Sequence, residues 1–142
     1  MNSTNEGIVA AQVEAMLCQL PGVKIQREYL DTSGMRVDFL VTTRQGDRLM
    51  VEVKLGQSGY LPVSSWGQLV MNKKLLEEWG SIERVTPMIV TNLEVPPDLE
   101  AMFQRSRIVV VKLKKDAGEM IRAVRDQLEQ MGIDLGPSPS EK

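Results

Sequence analysis

Two short runs in the first half of the chain alternate apolar and polar residues with period two. In residues 36–42, Val37, Phe39 and Val41 alternate with Arg36, Asp38, Leu40 and Thr42. In residues 48–55, Leu49, Val51, Val53 and Leu55 alternate with Met50, Glu52 and Lys54. This period, in runs rich in β-branched residues, predicts two strands with one strongly apolar face. A slip of one residue would set apolar side chains against charged ones, so parity is well specified. The register that satisfies both runs pairs Val37 with Val53, Phe39 with Val51 and Val41 with Leu49. It leaves Arg44-Gln45-Gly46 as a three-residue turn with glycine at its left-handed position.

Other patterns place the remaining elements. Val9, Val13, Met16, Leu17 and Leu20 form the stripe of an amphipathic helix over residues 6–20, stopped by Pro21-Gly22. Residues 23–31 read as a strand that turns at Asp31-Thr32-Ser33-Gly34 into the hairpin. A loop with two glycines (GQSGYLPVSS) leads to a helix over residues 65–79 that ends at Gly80. The run RVTPMIVTNL is continuously apolar, as suits a buried interior strand despite Pro87. Pro96-Pro97-Asp98 opens a short helix to about Gln104, RIVVVKL is a second buried strand, and residues 116–131 form a last helix. The order αβββαβαβα predicts an α/β fold, with a mixed sheet and helices on both faces. Residues 1–132 form a single domain in this reading, and 133–142, which include GPSPSEK, a disordered tail.

The hairpin register raises a problem of charge. It sets Asp38 directly across from Glu52, and Arg36 across from Lys54. Opposed Cβ atoms lie roughly 4.5–5.5 Å apart. Two full charges at that distance repel by about 3 kcal/mol at an effective dielectric of 20. A shared proton, flanking cations or a bound metal could each relieve the pair. The alternative is a solvated outer face with scattered charges.

Composition narrows the chemistry. The 142 residues suit one domain, and 42% apolar with 25% charged residues is ordinary for a globular protein. The single cysteine, Cys18, rules out an intrachain disulfide and a thiolate cage, and its apolar surroundings suggest a core position. The absence of histidine removes histidine zinc sites, Ser-His-Asp triads and histidine bases. What remains is carboxylates, lysine, hydroxyls and hard metals. No signal peptide or membrane-length apolar run is present, so the expected location is cytoplasmic, away from membranes. A net charge of −2 argues mildly against nonspecific nucleic-acid binding, although Arg36, Arg44 and Arg48 group around the hairpin and Lys112, Lys114 and Lys115 form a second group.

On the helix over 65–79, Gln68, Leu75 and Trp79 lie within about 20° of one line, which places the Gln68 amide on the inward face. Glu14 lies one position off the stripe of the first helix. The pattern of Glu14 in the first helix, Asp38 in the second strand, Glu52-Val53-Lys54 in the third and Gln68 in the next helix resembles the PD-(D/E)xK phosphodiesterases. These are the restriction-endonuclease-like nucleases, whose core is also αβββαβ, and here an extra strand and helix would follow. The likeness spans about residues 6–112. In layout it is nearest to small Holliday-junction-resolvase-like or restriction and repair nuclease domains. Val37 stands where the family usually has proline, and Asn72 where its exonuclease branch has tyrosine.

The resemblance implies a metal-dependent nuclease acting on DNA. Asp38, Glu52 and the Val53 carbonyl would hold Mg²⁺ or Mn²⁺, with Glu14 touching the ion directly or through water. Lys54 would orient or activate the attacking water, and Gln68 would position Lys54, a water or a phosphate. Ser58 and Tyr60 would meet the nucleic acid. A homodimer is compatible with this reading. Two alternatives stay open: a catalytically silent nuclease-fold module that binds nucleic acid or protein, and an unrelated α/β interaction protein.

Overall fold

The computed structural model describes residues 3–30, 36–79 and 82–136; the side chains of residues 3–6 and of Trp79 lie outside this description. The elements follow the predicted order: α1 (Ser3–Leu17), β1 (Lys24–Leu30), β2 (Arg36–Thr42), β3 (Arg48–Lys54), α2 (Ser64–Trp79), β4 (Val85–Thr91), α3 (Pro97–Arg105), β5 (Val109–Lys112) and α4 (Ala117–Gln130). The strands lie side by side in chain order. β1–β2 and β2–β3 are antiparallel, while β3–β4 and β4–β5 are parallel. The expected turn at Asp31–Gly34, the helix stop at Gly80 and the tail over 137–142 lie outside the described residues.

Helices cover both faces because both faces of the sheet are apolar. Val13, Met16, Leu17 and Leu20 of the first helix and its exit turn, with Met120, Val124 and Leu128 of α4, pack on Phe39, Val41, Leu49, Val51, Met88 and Val90. On the other face, Leu69 and Leu76 of α2, with Leu99 and Phe103 of α3, pack on Leu40, Met50 and Ile89. Such wholly buried strands read as continuous apolar runs, which is how β4 reads. Pro87 fits in β4 because β5 begins its pairing only at Met88–Val109, so at Pro87 only the β3 side is in use. On β5 the Gln127 side chain accepts from the Val110 N–H (2.9 Å) and donates to its carbonyl (2.8 Å), covering an edge that would otherwise expose both groups. No helix among the described residues is long and apolar enough to cross a membrane.

Three expectations are corrected. Cys18 is exposed, because α1 ends at Leu17 and Cys18 falls in the turn that follows. Gln68 is also exposed: the inward line of α2 runs through Ser65, Leu69 and Leu76, and Leu75 is only half-buried. Gln68–Leu75 and Leu69–Leu76 are two i, i+7 lines about 100° apart, and periodicity alone does not choose between them. Finally, packing extends past residue 132. Leu135 is buried, and Arg125 donates to the Gly136 carbonyl at 3.1 Å.

Candidate functional site

The β2–β3 ladder has the expected register, running from Thr42–Arg48 to Phe39–Val51. At its turn, Gly46 has φ +91° and donates to the Thr43 carbonyl at 3.0 Å. The other end departs from expectation. The Val37–Val53 pair is not part of the ladder. Instead the Asp38 carboxylate accepts the Val53 N–H at 2.7 Å.

The cause lies in the neighbouring strand. β1 pairs with β2 at Arg27–Phe39 and again at Tyr29–Val37, skipping Glu28, whose φ is +50°. Both strands change face there. The Arg27 guanidinium lies over the Phe39 ring at 5.8 Å on the α1 side, whereas Val37 and Tyr29 join the α2 side. Side-chain alternation therefore breaks at Asp38, and its carboxylate turns toward β3. In an extended residue the N–H and C=O point the same way, so the Val53 carbonyl faces the same gap.

Glu52 lies against Asp38. Its Oε1 is buried and has no hydrogen-bond partner among the described residues. Burial first, then the Asp38 charge and a hydrogen bond between the two carboxyl groups, push Glu52 up to about 8, with a backbone hydrogen bond from Asp38 acting the other way. Burial and the neighbouring Asp38 charge thus favour the protonated form of Glu52 near neutral pH. A carboxyl at about 8 when folded, against an ordinary 4.5, holds its proton more tightly in the folded state. Its stabilising effect is complete below the ordinary value and is lost as pH rises through about 8. Glu52→Gln copies the protonated form. In EDTA its melting temperature should match wild type near pH 4.5 and exceed it increasingly toward pH 9. Parallel curves would show that the two carboxylates do not interact in this way.

The other predicted residues are more dispersed. Lys54 is exposed at the end of β3 and forms no ion pair among the described residues. Gln68 faces solvent from α2. Glu14 approaches Arg27 (3.4 Å), and Arg27 stands opposite Phe39, the residue after Asp38. Glu14 is therefore one strand removed from the pair. Among the described residues no three acidic or cysteine side chains are gathered closely enough to hold one ion together. The loop after β3 is clamped rather than free. Gly56 and Asn92 exchange two hydrogen bonds (3.0 and 2.7 Å), and Leu61 donates to the Glu94 carbonyl (2.8 Å). A Cβ at Gly56 would meet the end of the Leu93 side chain at 2.8 Å, so a larger residue there would have to move Leu93. The clamp presents Tyr60 at 72% exposure. Sequence reading missed Asn92 and Arg27. The Thr91-Asn92 step, where an apolar strand run turns polar, was the available sign of the first; nothing in the pattern marked the second.

No protein-family model matches the chain. No curated protein sequence matches it significantly. Solved structures do. A repair endonuclease from Pyrococcus abyssi superposes with a TM-score of 0.57 at 19% identity, covering 82% of this chain and 49% of that one. A protein of unknown function, AF1548, gives 0.59 at 17% identity, covering 87% and 66%. EndoMS in a complex with dsDNA gives 0.54 at 19% identity, covering 75% and 44%. The chain thus shares the fold of these structures and spans about half the length of the P. abyssi endonuclease.

Proposed function

We propose that the protein is a metal-dependent nuclease that hydrolyses phosphodiester bonds in DNA. The observation that carries this reading is the apposed Asp38–Glu52 pair, with one buried Glu52 oxygen lacking a partner among the described residues, on a fold shared with a repair endonuclease. The superposition on a DNA-bound EndoMS supports DNA as the substrate.

Two adjacent carboxylates and a peptide carbonyl are donors suited to a hard divalent cation such as Mg²⁺ or Mn²⁺. Asp38, Glu52 and the Val53 carbonyl would hold it, and Glu14 would act through water. When bound, such an ion offsets the carboxylate repulsion, lowers the pKa of a water and takes up charge on the scissile phosphate. Lys54 follows Glu52 by two residues on the same strand. It orients the attacking water and stabilises the negative charge that develops on the phosphate. Its exposure leaves the ammonium open to substrate. Gln68 is available to a water or a backbone phosphate, and Tyr60 and Ser58 lie on the clamped loop next to this end of the sheet.

Incubating the protein with supercoiled, linear and branched DNA in Mg²⁺, Mn²⁺ or EDTA tests the proposal. Cutting in metal and none in EDTA is expected. Binding without cutting in any metal would make the chain a silent nuclease-fold module instead.

Gln68 offers a narrower test. Because it is exposed, Gln68→Leu should leave stability within about 0.5 kcal/mol of wild type. If its amide serves the site, turnover per folded molecule should fall by roughly 10-fold, the order of one lost hydrogen bond to a charged group. Leu76→Ala is the control: it empties a fully buried position and should cost about 2–5 kcal/mol without selective loss of turnover. Unimpaired turnover in Gln68→Leu would remove this residue from the site.

A further inference from the structure

We infer that a second site, at the opposite end of the sheet from Asp38 and Glu52, binds a phosphate group. Arg48 opens β3 and Val85 opens β4, so this end is separated from Glu52 by about 13 Å of strand. Here a cavity of about 600 Å³ lies between the β2–β3 turn, α2, the start of β4 and the segments around residues 107 and 131–134. That volume falls in the range of small-ligand sites. Arg48, Lys73, Arg84 and Arg107 line it, against the carboxylates of Asp47 and Asp134. Four cations face two anions in a chain whose net charge is −2.

These cations are not all committed. Lys73 pairs with Glu77 at 2.6 Å, and Arg107 donates to the Met131 carbonyl at 2.5 Å. Arg48 and Arg84 have no ion-pair partner among the described residues, and the Arg48 Nε–H is buried without an acceptor. A buried guanidinium donor without an acceptor is uncommon, and an oxyanion supplies both the acceptor and the countercharge. Arg107 adds a further sign. It holds φ +58°, a conformation that favours glycine, yet carries a long cationic side chain to the cavity wall. A guanidinium fork suits tetrahedral oxyanions.

The phosphate has two possible sources, a free phosphomonoester or the DNA backbone, and one experiment separates them. All measurements are made in EDTA, so they do not depend on catalysis at Glu52. Thermal shifts are recorded with inorganic phosphate and with a deoxynucleoside 5′-monophosphate, against chloride at matched ionic strength. Binding of a short duplex is followed by fluorescence anisotropy. Wild type, Arg48→Met, Arg84→Ala and Arg122→Ala are compared, the last removing an exposed charge on α4. Arg84 is exposed, so Arg84→Ala tests the site even if Arg48→Met folds poorly. At least one ligand should bind saturably to wild type and Arg122→Ala, and 10-fold or more weaker to Arg48→Met and Arg84→Ala. A response to phosphate or the mononucleotide assigns a small anion; a response to the duplex alone assigns the DNA backbone. Equal binding by all four proteins, or no saturable binding by wild type, overturns the site.

Discussion

Asp38→Asn is expected to cut metal-dependent strand cleavage by about 10³-fold, the order of losing one preorganised charge-stabilising element. The variant should still fold, and in EDTA at pH 9, where Glu52 is ionised, it should melt at or above wild type. The reason is that Asp38 does two things at once. Its charge opposes that of Glu52, and its Oδ2 accepts the Val53 N–H at 2.7 Å. Asparagine keeps an acceptor for that N–H and removes the charge, so repulsion is relieved while the strand end stays bonded. Asp38→Ala removes both, and stranding the N–H should cost about 1–3 kcal/mol. Wild type should melt higher in Mg²⁺ or Mn²⁺, as a native-state ligand requires, and Asp38→Asn should lose that response. Melts with and without Mn²⁺, alongside rates per folded molecule, check all of this. An Asp38→Asn protein less stable than wild type in EDTA at pH 9 would count against the apposed carboxylates.

Lys54→Ala should lower turnover by about 10²-fold or more, the scale of one proton-transfer or charge-stabilising group. Its stability should stay within about 0.5 kcal/mol of wild type, since Lys54 is exposed and forms no ion pair among the described residues. Metal affinity should be kept or strengthened, because a cation near the ion is gone. The variant therefore separates chemistry from metal binding: calorimetric titration with Mn²⁺ should be unimpaired while cleavage fails. Full activity would move the chemistry to another residue.

The sequence made the element order, the mixed sheet and the hairpin register legible for a shared physical reason. Period-two patterns have only two parities, and Phe39–Val51 and Val41–Leu49 fit only one of them. The break at Asp38 was not legible. It depends on Glu28 adopting φ +50° in a different strand, a tertiary constraint with no glycine to announce it. Gln68 was misplaced because α2 offers two i, i+7 lines, and only the sheet beneath selects Leu69 and Leu76. Cys18 was misplaced because a helix end one turn earlier turns a stripe-adjacent residue out to solvent. The candidate site divides the same way. Asp38 and Glu52 adjoin through the break at Asp38 rather than the continued ladder that the register implied, while Glu14's pairing with Arg27 depends on how α1 crosses β1, which no spacing encodes.

Cleavage and ion binding both depend on Glu52, whose Oε1 is buried without a hydrogen-bond partner among the described residues. Nicking of supercoiled DNA by wild type and Glu52→Gln, in Mg²⁺ and in EDTA and corrected for folded fraction, tests it most directly. Wild type should convert supercoiled to open or linear DNA in Mg²⁺ alone, while Glu52→Gln, folded and at least as stable in EDTA at pH 8, should leave it intact. Cutting by Glu52→Gln at the wild-type rate, or cutting by wild type that persists in EDTA, would contradict the account.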